Sequence, residues 1–338
     1  MSLLIFHHSA DADRDVYSAG KHQLPQRWAV LPKNINRITH LKQNTIAPAA
    51  AAVWAIVACV LWSTAFVAIK VGLAHSKPFS FAGIRFMLSG LILVPFWLGK
   101  VHRRDISIHS FKVIITVAVL QTFLLYGFFY FAMTLVSGAV ASIIVGASPI
   151  VSAVVAHFAC RDDKLHKTKV ICMGLAGFGI VFVVLGTQPW RVGGIMDVAG
   201  ICLLVCGSVV STFGNIVVSK EKKNLHPVFL TSVQIFCGGL MLFFLSLPLE
   251  GQPEVTGLPV RFYFLLGWLS FLSAAAFSIW FYLLQHENIK VSELNMWKFL
   301  IPVFGATLSW IFLAEESPDL LTLCGMALVA SAVWKFNR

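Results

Sequence analysis

From residue 49 onward the chain alternates long apolar stretches with short polar or charged breaks. About 20 consecutive apolar residues cross a bilayer as a helix. Ten stretches are close to that length: 49–74, 79–99, 111–133, 136–159, 168–187, 196–219, 228–249, 261–285, 291–314 and 319–335. The breaks carry turn formers, such as Lys77-Pro78, Gln188-Pro189 with Gly193-Gly194, and His226-Pro227. No break could house a second soluble domain. The pattern predicts an all-α polytopic membrane protein with ten transmembrane helices.

Composition agrees. The chain is 58% hydrophobic and 12% charged, with a mean hydropathy of +0.80. Soluble domains carry about 25% charged residues. The net charge of +11 would suggest nucleic acid in a soluble chain. Here it raises the question of which side of the membrane holds the cations. With the N-terminus inside, the inner segments hold 20 Lys/Arg. The outer breaks hold only Lys77, Arg191 and Arg261. That asymmetry predicts cytosolic N- and C-termini in the cytoplasmic (inner) cell membrane. Residues 1–48 are polar, with six Lys/Arg, three Asp and four His. They read as a disordered basic cytosolic tail, or as the product of a start codon placed too early, with a lipid-touching arm as the sharper alternative. The seven cysteines form no C-x-x-C pair and read as small core hydrophobes.

The two halves of the apolar region echo each other. Trp62-Ser63-Thr64 before Lys70 is matched by Val210-Ser211-Thr212 before Lys220. Pro78 and Pro227 each open the next stretch, 149 residues apart, which sets Arg85 opposite Gln234 and Gly90 opposite Gly239. Pro149 and Pro302 each sit inside a stretch, followed by the acidic pairs Asp162-Asp163 and Glu315-Glu316. One half is five spans, and an odd number turns the second copy upside down. Inverted repeats are typical of secondary transporters, whose solute site lies near the midplane between the halves. The expected organisation is a tail over 1–48, a first repeat over 49–187 and a second over 196–336.

The run Trp62-Ser63-Thr64-Ala65-Phe66-Val67-Ala68-Ile69-Lys70, then Pro78, then Gly83-Ile84-Arg85-Phe86, resembles the opening of an EamA-domain transporter of the drug/metabolite transporter superfamily. Trp297-Lys298-Phe299-Leu300-Ile301-Pro302-Val303-Phe304-Gly305-Ala306 and Glu315-Glu316 resemble its end. The resemblance covers about residues 49–336. It implies two inverted five-helix EamA-like repeats and export or exchange of a small metabolite. The chain departs from the pattern in its long N-terminal segment, and in Arg161-Asp162 where many members show Gly-Glu.

Lys70, Arg85 and Lys298 fall within or at the ends of apolar stretches that contain no deep Asp or Glu. An ionisable residue at membrane depth is costly and marks a functional site by default. Lys70 can also snorkel to the interface, and Arg85 can bond carbonyls at a helix end. Lys298 shares a helical face with Asn295, Pro302, Gly305 and Ser309. Pro302 has no N–H, so the carbonyl of Lys298 loses its helical partner. Ser208, Ser211, Asn215 and Ser219 form a second polar stripe, and Thr122, Tyr126 and Tyr130 a third. Ser273, Phe277 and Trp280 share another face. The candidate substrate-binding set is Trp62, Arg85, Tyr126, Asn215, Trp280, Asn295 and Lys298, with Pro149 and Pro302 as helix breaks or hinges. Gly138, Ser142 and Gly146, and Gly174 with Gly177, read as small-residue packing surfaces.

These features predict a secondary transporter for an amino acid or organic anion, working by alternating access. A sugar-phosphate or nucleotide-sugar type anion exchanger is the alternative within transport. A receptor or scaffold is the alternative outside it. An enzyme is not expected. The chain has no H-E-x-x-H helix or paired intramembrane Asp, and no His is placed to activate Ser148. No cofactor or metal is called for. The expected partners are the lipid bilayer and a small-molecule substrate, with a homodimer compatible with the chain and nucleic acid not expected. Glu293 is the deepest acid, so a carboxylate proton relay is poorly supported and uniport or exchange is favoured.

Overall fold

The computed structural model describes residues 45–101, 107–136, 141, 144–187, 195–221, 225–253, 256–312 and 320–336. These form helices and short connections, with no strand among the described residues. In chain order the elements are α1 (Pro48–Leu73), α2 (Pro78–Trp97, with a turn at Leu93) and α3 (Ile108–Leu135). Next come α4 (Ser148–Ala159), α5 (Lys167–Thr187), α6 (Ile195–Lys220), α7 (Pro227–Glu250) and α8 (Val260–Leu284). Then follow α9 (Val291–Met296), a 3-10 turn (Trp297–Phe299), α10 (Leu300–Phe312) and α11 (Leu320–Phe336). Among the described residues, six helices are long and apolar enough to cross a membrane: α1, α2, α3, α6, α7 and α8.

The starts follow from local chemistry. Pro48, Pro78 and Pro227 stand at the first helical positions of α1, α2 and α7, where no N–H is needed. Ser107 caps α3, its side chain accepting from the Ser110 N–H. Gly251, at φ +79°, ends α7 in a left-handed conformation that favours glycine.

The apolar stretches 291–314 and 136–159 are each interrupted beside a proline. In 291–314 the helix tightens into the 3-10 turn at Trp297–Phe299, one turn before Pro302 removes an N–H from the ladder. In 136–159 a turn at Ala147 precedes α4, with Pro149 at its N-terminal end. The two breaks touch: a Cβ added to Gly146 would lie 2.8 Å from Pro302 Cγ.

Packing pairs α2 with α7 and α5 with α11, while α1 lies against α8 and α10, and α6 against α3 and α4. Small residues permit the closest crossings. A Cβ on Gly83 would come within 2.7 Å of the Phe243 backbone nitrogen, and one on Gly179 within 2.7 Å of the Gly325 carbonyl. Gly174, expected to serve packing with Gly177, meets nothing within 4 Å and faces outward, whereas a Cβ on Gly177 would meet Ile150 Cδ1 at 3.1 Å and Gly179 makes the closest contact. The outer surface is apolar, with Phe158, Phe178, Val260 and Phe264 exposed as on a lipid-facing wall. Cys59 and Cys172 are buried as expected. Cys202, Cys206 and Cys324 are instead exposed on that apolar surface, where a small weakly polar thiol is equally at home. The 1–44 part of the tail, Gly138, Ser142, Arg191, Gly193-Gly194 and Glu315-Glu316 lie outside the described residues, as do the side chains of Lys70 and Ser309.

Candidate solute-binding cavity

A cavity of about 150 Å³ lies among α1, α2, α3, α4, α6, α8 and the 3-10 turn. Trp62, Arg85, Tyr126, Asn215, Trp280 and Lys298 all line it, although they lie far apart in sequence. Asn295 does not. It is fully buried one turn earlier, its Nδ2 donating to the Val291 carbonyl at 2.8 Å. Pro149 and Pro302 are also outside the lining.

Arg85 comes from a helix whose start is set by a local signal. Arg85 sits two turns into α2 after Pro78. Its Nε and Nη2 donate to Ser273 Oγ at 3.1 and 2.8 Å, and its Nη1 to the Tyr130 hydroxyl at 3.2 Å. The rings of Phe86 and Tyr126 stand 4.8 and 6.0 Å from its Cζ. The stripe residues Ser273 and Tyr130 therefore hold the guanidinium, not backbone carbonyls at a helix end. Lys298 projects from the 3-10 turn. Its Nζ lies 4.8 Å from the Trp280 ring centroid and 5.6 Å from that of Trp62. Among the described residues no carboxylate pairs with either cation.

Between the cations runs an aromatic wall. Trp62 meets Trp280 at 5.0 Å and Phe277 at 5.7 Å, and Phe277 meets Tyr126 at 6.3 Å, all edge-on. A second wall is polar. Ser208, Ser211 and Asn215 present the stripe of α6 to the cavity, as its spacing predicted, while Ser219 does not reach it. Ser211 Oγ donates to Gln121 Oε1 at 3.1 Å, and Gln121 Nε2 donates to the Ser211 carbonyl at 3.0 Å and to Asn215 Oδ1. Ser152, paired with Thr212 at 2.8 Å, and Ser148 complete this side.

Gln121, Phe129, Ser148 and Ser152 were missed by sequence reasoning. In α3 the cause is a π-helical segment over Ala118–Leu124. A π turn holds an extra residue, so it rotates the residues that follow relative to an α-helical count. Gln121, Leu125, Tyr126 and Phe129 consequently line the cavity. Thr122, on the predicted stripe, turns to Gln234 and donates to its Oε1 at 2.9 Å. No spacing rule signals this register change. Ser148 has no neighbouring base to make it a nucleophile, but a hydroxyl in a cavity wall needs none.

The cavity, the apolar exterior and the paired helices define a polytopic membrane protein with an internal polar and aromatic chamber, the build of a solute carrier. The profile of the EamA-like transporter family matches residues 49–185 and again 198–337, so the chain belongs to that family and is a membrane transporter. An uncharacterized transporter of Bacillus subtilis is 25% identical over 290 residues, covering 82% of this chain and 88% of the relative. One from Synechocystis is 23% identical over 303 residues, covering 82% and 87%. A WAT1-related chloroplastic protein of Arabidopsis thaliana is 24% identical over 282 residues, covering 82% and 66%. A solved crystal structure is similar in fold, with TM-score 0.73 over 85% of this chain and 96% of its own, at 15% identity.

Proposed function

We propose that this chain is a secondary transporter carrying a small organic anion or amino acid across the cytoplasmic membrane by alternating access, in export or exchange. Its ten spans form two inverted five-helix halves with both termini in the cytosol. The packing supports the inversion. Exchanging the halves turns the α1–α8 contact into α6–α3 and the α1–α10 contact into α6–α4, and both members of each pair are present. The pairs α2–α7 and α5–α11 map onto themselves. The excess of Lys/Arg in the inner breaks supports the orientation.

The observation that carries the reading is a chamber holding Arg85 and Lys298 with no acidic residue among the described residues of its lining. Cations in a weakly screening chamber attract a carboxylate or phosphate. Among the described residues no Asp, Glu or His lines the cavity to relay a proton, which favours uniport or exchange over proton coupling. The hydroxyl and amide wall of Gln121, Ser148, Ser152, Ser208 and Ser211 supports a second reading, exchange of a hydroxylated anion of the sugar-phosphate type. Protein reconstituted in liposomes should show saturable counterflow of an anionic or zwitterionic solute that survives an uncoupler. Collapse with the uncoupler would overturn the exchange mechanism, and absence of any saturable flux would leave a receptor or scaffold.

A further inference from the structure

The two cations are held differently, and that difference assigns the anion to one of them. All three nitrogens of Arg85 already donate, to Ser273 and Tyr130, and the residue is 1% exposed. Those bonds tie α2 to α3 and α8. No hydrogen bond or ion pair among the described residues engages the Lys298 ammonium. Among the described residues the Trp62 and Trp280 faces stand over it, and the Cys59 thiol lies near enough to feel its charge.

Two further donors on the same cavity are also unpaired. Asn215 Nδ2 and Trp280 Nε1 are buried and have no hydrogen-bond partner, on residues each 1% exposed. Buried polar groups left unpaired are costly and uncommon in folded proteins. The amide of Asn215 is not free to choose its orientation. Gln121 Nε2 donates to the Ser211 backbone carbonyl, which can only accept, so the same Nε2 meets Asn215 Oδ1 and leaves Asn215 with only its NH2 to offer. The relay therefore ends in a donor.

We infer that Lys298, Asn215 Nδ2 and Trp280 Nε1 form a carboxylate-binding subsite, with Gln121 and Ser211 as positioning residues that fix Asn215 as a donor. This rests on the cavity being the solute site of the transporter. An ammonium, an amide NH2 and an indole N–H offer donors and no acceptor. They match the acceptor-only oxygens of a carboxylate and reject a primary amide of the same shape, whose NH2 would face three donors. The Trp62–Phe277 wall takes the apolar part of the solute. Arg85 is a strut between helices in this scheme.

The test is equilibrium binding to the purified full chain of propionate, 3-phenylpropionate and phenylalanine, each beside its primary amide. The readout is the ratio of carboxylate to amide affinity. Hydrogen bonds to an ionised group predict a preference of at least about tenfold in the intact protein. Lys298→Met, Asn215→Leu and Gln121→Glu should each bring the ratio toward unity. Gln121→Glu does so by drawing the Asn215 NH2 onto the new carboxylate. Trp280→Phe keeps a ring over Lys298 and should lower the ratio less. A general folding defect would weaken both members of a pair and leave the ratio alone, so the ratio separates site from scaffold. No carboxylate preference in the intact protein, or a ratio kept in both Lys298→Met and Asn215→Leu, overturns the subsite. Counterflow in liposomes runs in parallel. Preference without flux removes the transporter reading and keeps the subsite, whereas flux without preference does the reverse.

Discussion

Asp163 reaches from the segment after α4 to cap the start of α9. Its Oδ2 accepts the Ser292 backbone N–H at 2.8 Å, and its Oδ1 accepts the Ser292 hydroxyl. Lys169, 1% exposed, donates to the same Oδ1 at 2.6 Å. The clamp joins the first family repeat to the second, at the base of the segment that carries Lys298. Burial pushes the Asp163 carboxyl up, but the bonds from Lys169 and Ser292 outweigh it and hold the group below its ordinary range. A depressed carboxyl contributes stability above its unfolded value and loses it as pH falls through its folded value. The clamp should therefore be intact from neutral pH down to about pH 4, the ordinary range of an aspartate. Asp163→Asn should cost roughly 3–5 kcal/mol, because it strands a buried Lys169. Thermal unfolding of the purified protein measures this, and Asp163→Asn with Lys169→Met should recover much of the loss. A single variant as stable as the parent would show that the pair is dispensable.

A second carboxylate does similar work at the opposite end of α8. Glu250, at the end of α7, accepts the N–H groups of Phe79 and Ser80 at 2.7 and 2.9 Å, and Lys77 Nζ donates to its backbone carbonyl. It supplies from another helix the cap that Lys77 cannot provide for α2. A negative side chain at a helix N-terminus also meets the favourable end of the dipole. Glu250→Ala should cost about 1 kcal/mol, within the usual range for a lost cap. Glu250→Gln should cost less, since one amide oxygen still accepts. Equal losses in the two variants would place the effect in packing.

Much of this was legible in the residues, and the reasons for the rest are specific. The apolar runs set the helix positions because a lipid-exposed backbone leaves helices as the economical choice. The stripe Ser208, Ser211 and Asn215 was readable because α6 is regular there. Gln121 was not, because the π segment of α3 changes which residues face inward. The Asp163 clamp was hidden for another reason. An Asp in a polar break looks solvated, and only the tertiary fold shows that it is 3% exposed against Ser292. Asn295 failed in the opposite sense: it shares the face of Lys298 by helical count, but one turn nearer the start of α9 it is fully buried, its amide bonded to the Val291 carbonyl.

The crossing of α2 and α7 gives a contrast between two glycines. A Cβ at Gly83 would stand 2.7 Å from the Phe243 nitrogen and 2.8 Å from its Cα, and backbone atoms cannot swing aside. Gly83→Ala should destabilise by about 1–3 kcal/mol, the usual cost of overpacking. At Gly174 nothing lies within 4 Å, so alanine should be neutral or stabilising by up to about 1 kcal/mol from helix propensity alone. The two midpoints, measured in one detergent, should move in opposite directions or only the first should move. A fall at Gly174 as large as at Gly83 would mean that helix crossing is not what these glycines serve.

Lys298 offers the sharpest separation of function from stability. A cation with no bonded partner among the described residues is a cost to the fold, offset here only by two aromatic faces. Lys298→Met keeps a side chain of similar reach and removes that cost. Thermal stability should hold or rise, and expression should be unchanged. Uptake should fall by at least about tenfold, since a hydrogen-bonded charge contributes roughly 1.5–3 kcal/mol and each 1.4 kcal/mol is about tenfold. Lys298→Arg should retain part of the activity, because the charge stays while the planar fork fits the Trp62–Trp280 gap differently. Loss of function with gain of stability is what a binding residue predicts and a packing residue does not. Unchanged uptake in Lys298→Met would remove Lys298 from the solute site. A drop in stability matching the drop in uptake would assign it to the scaffold.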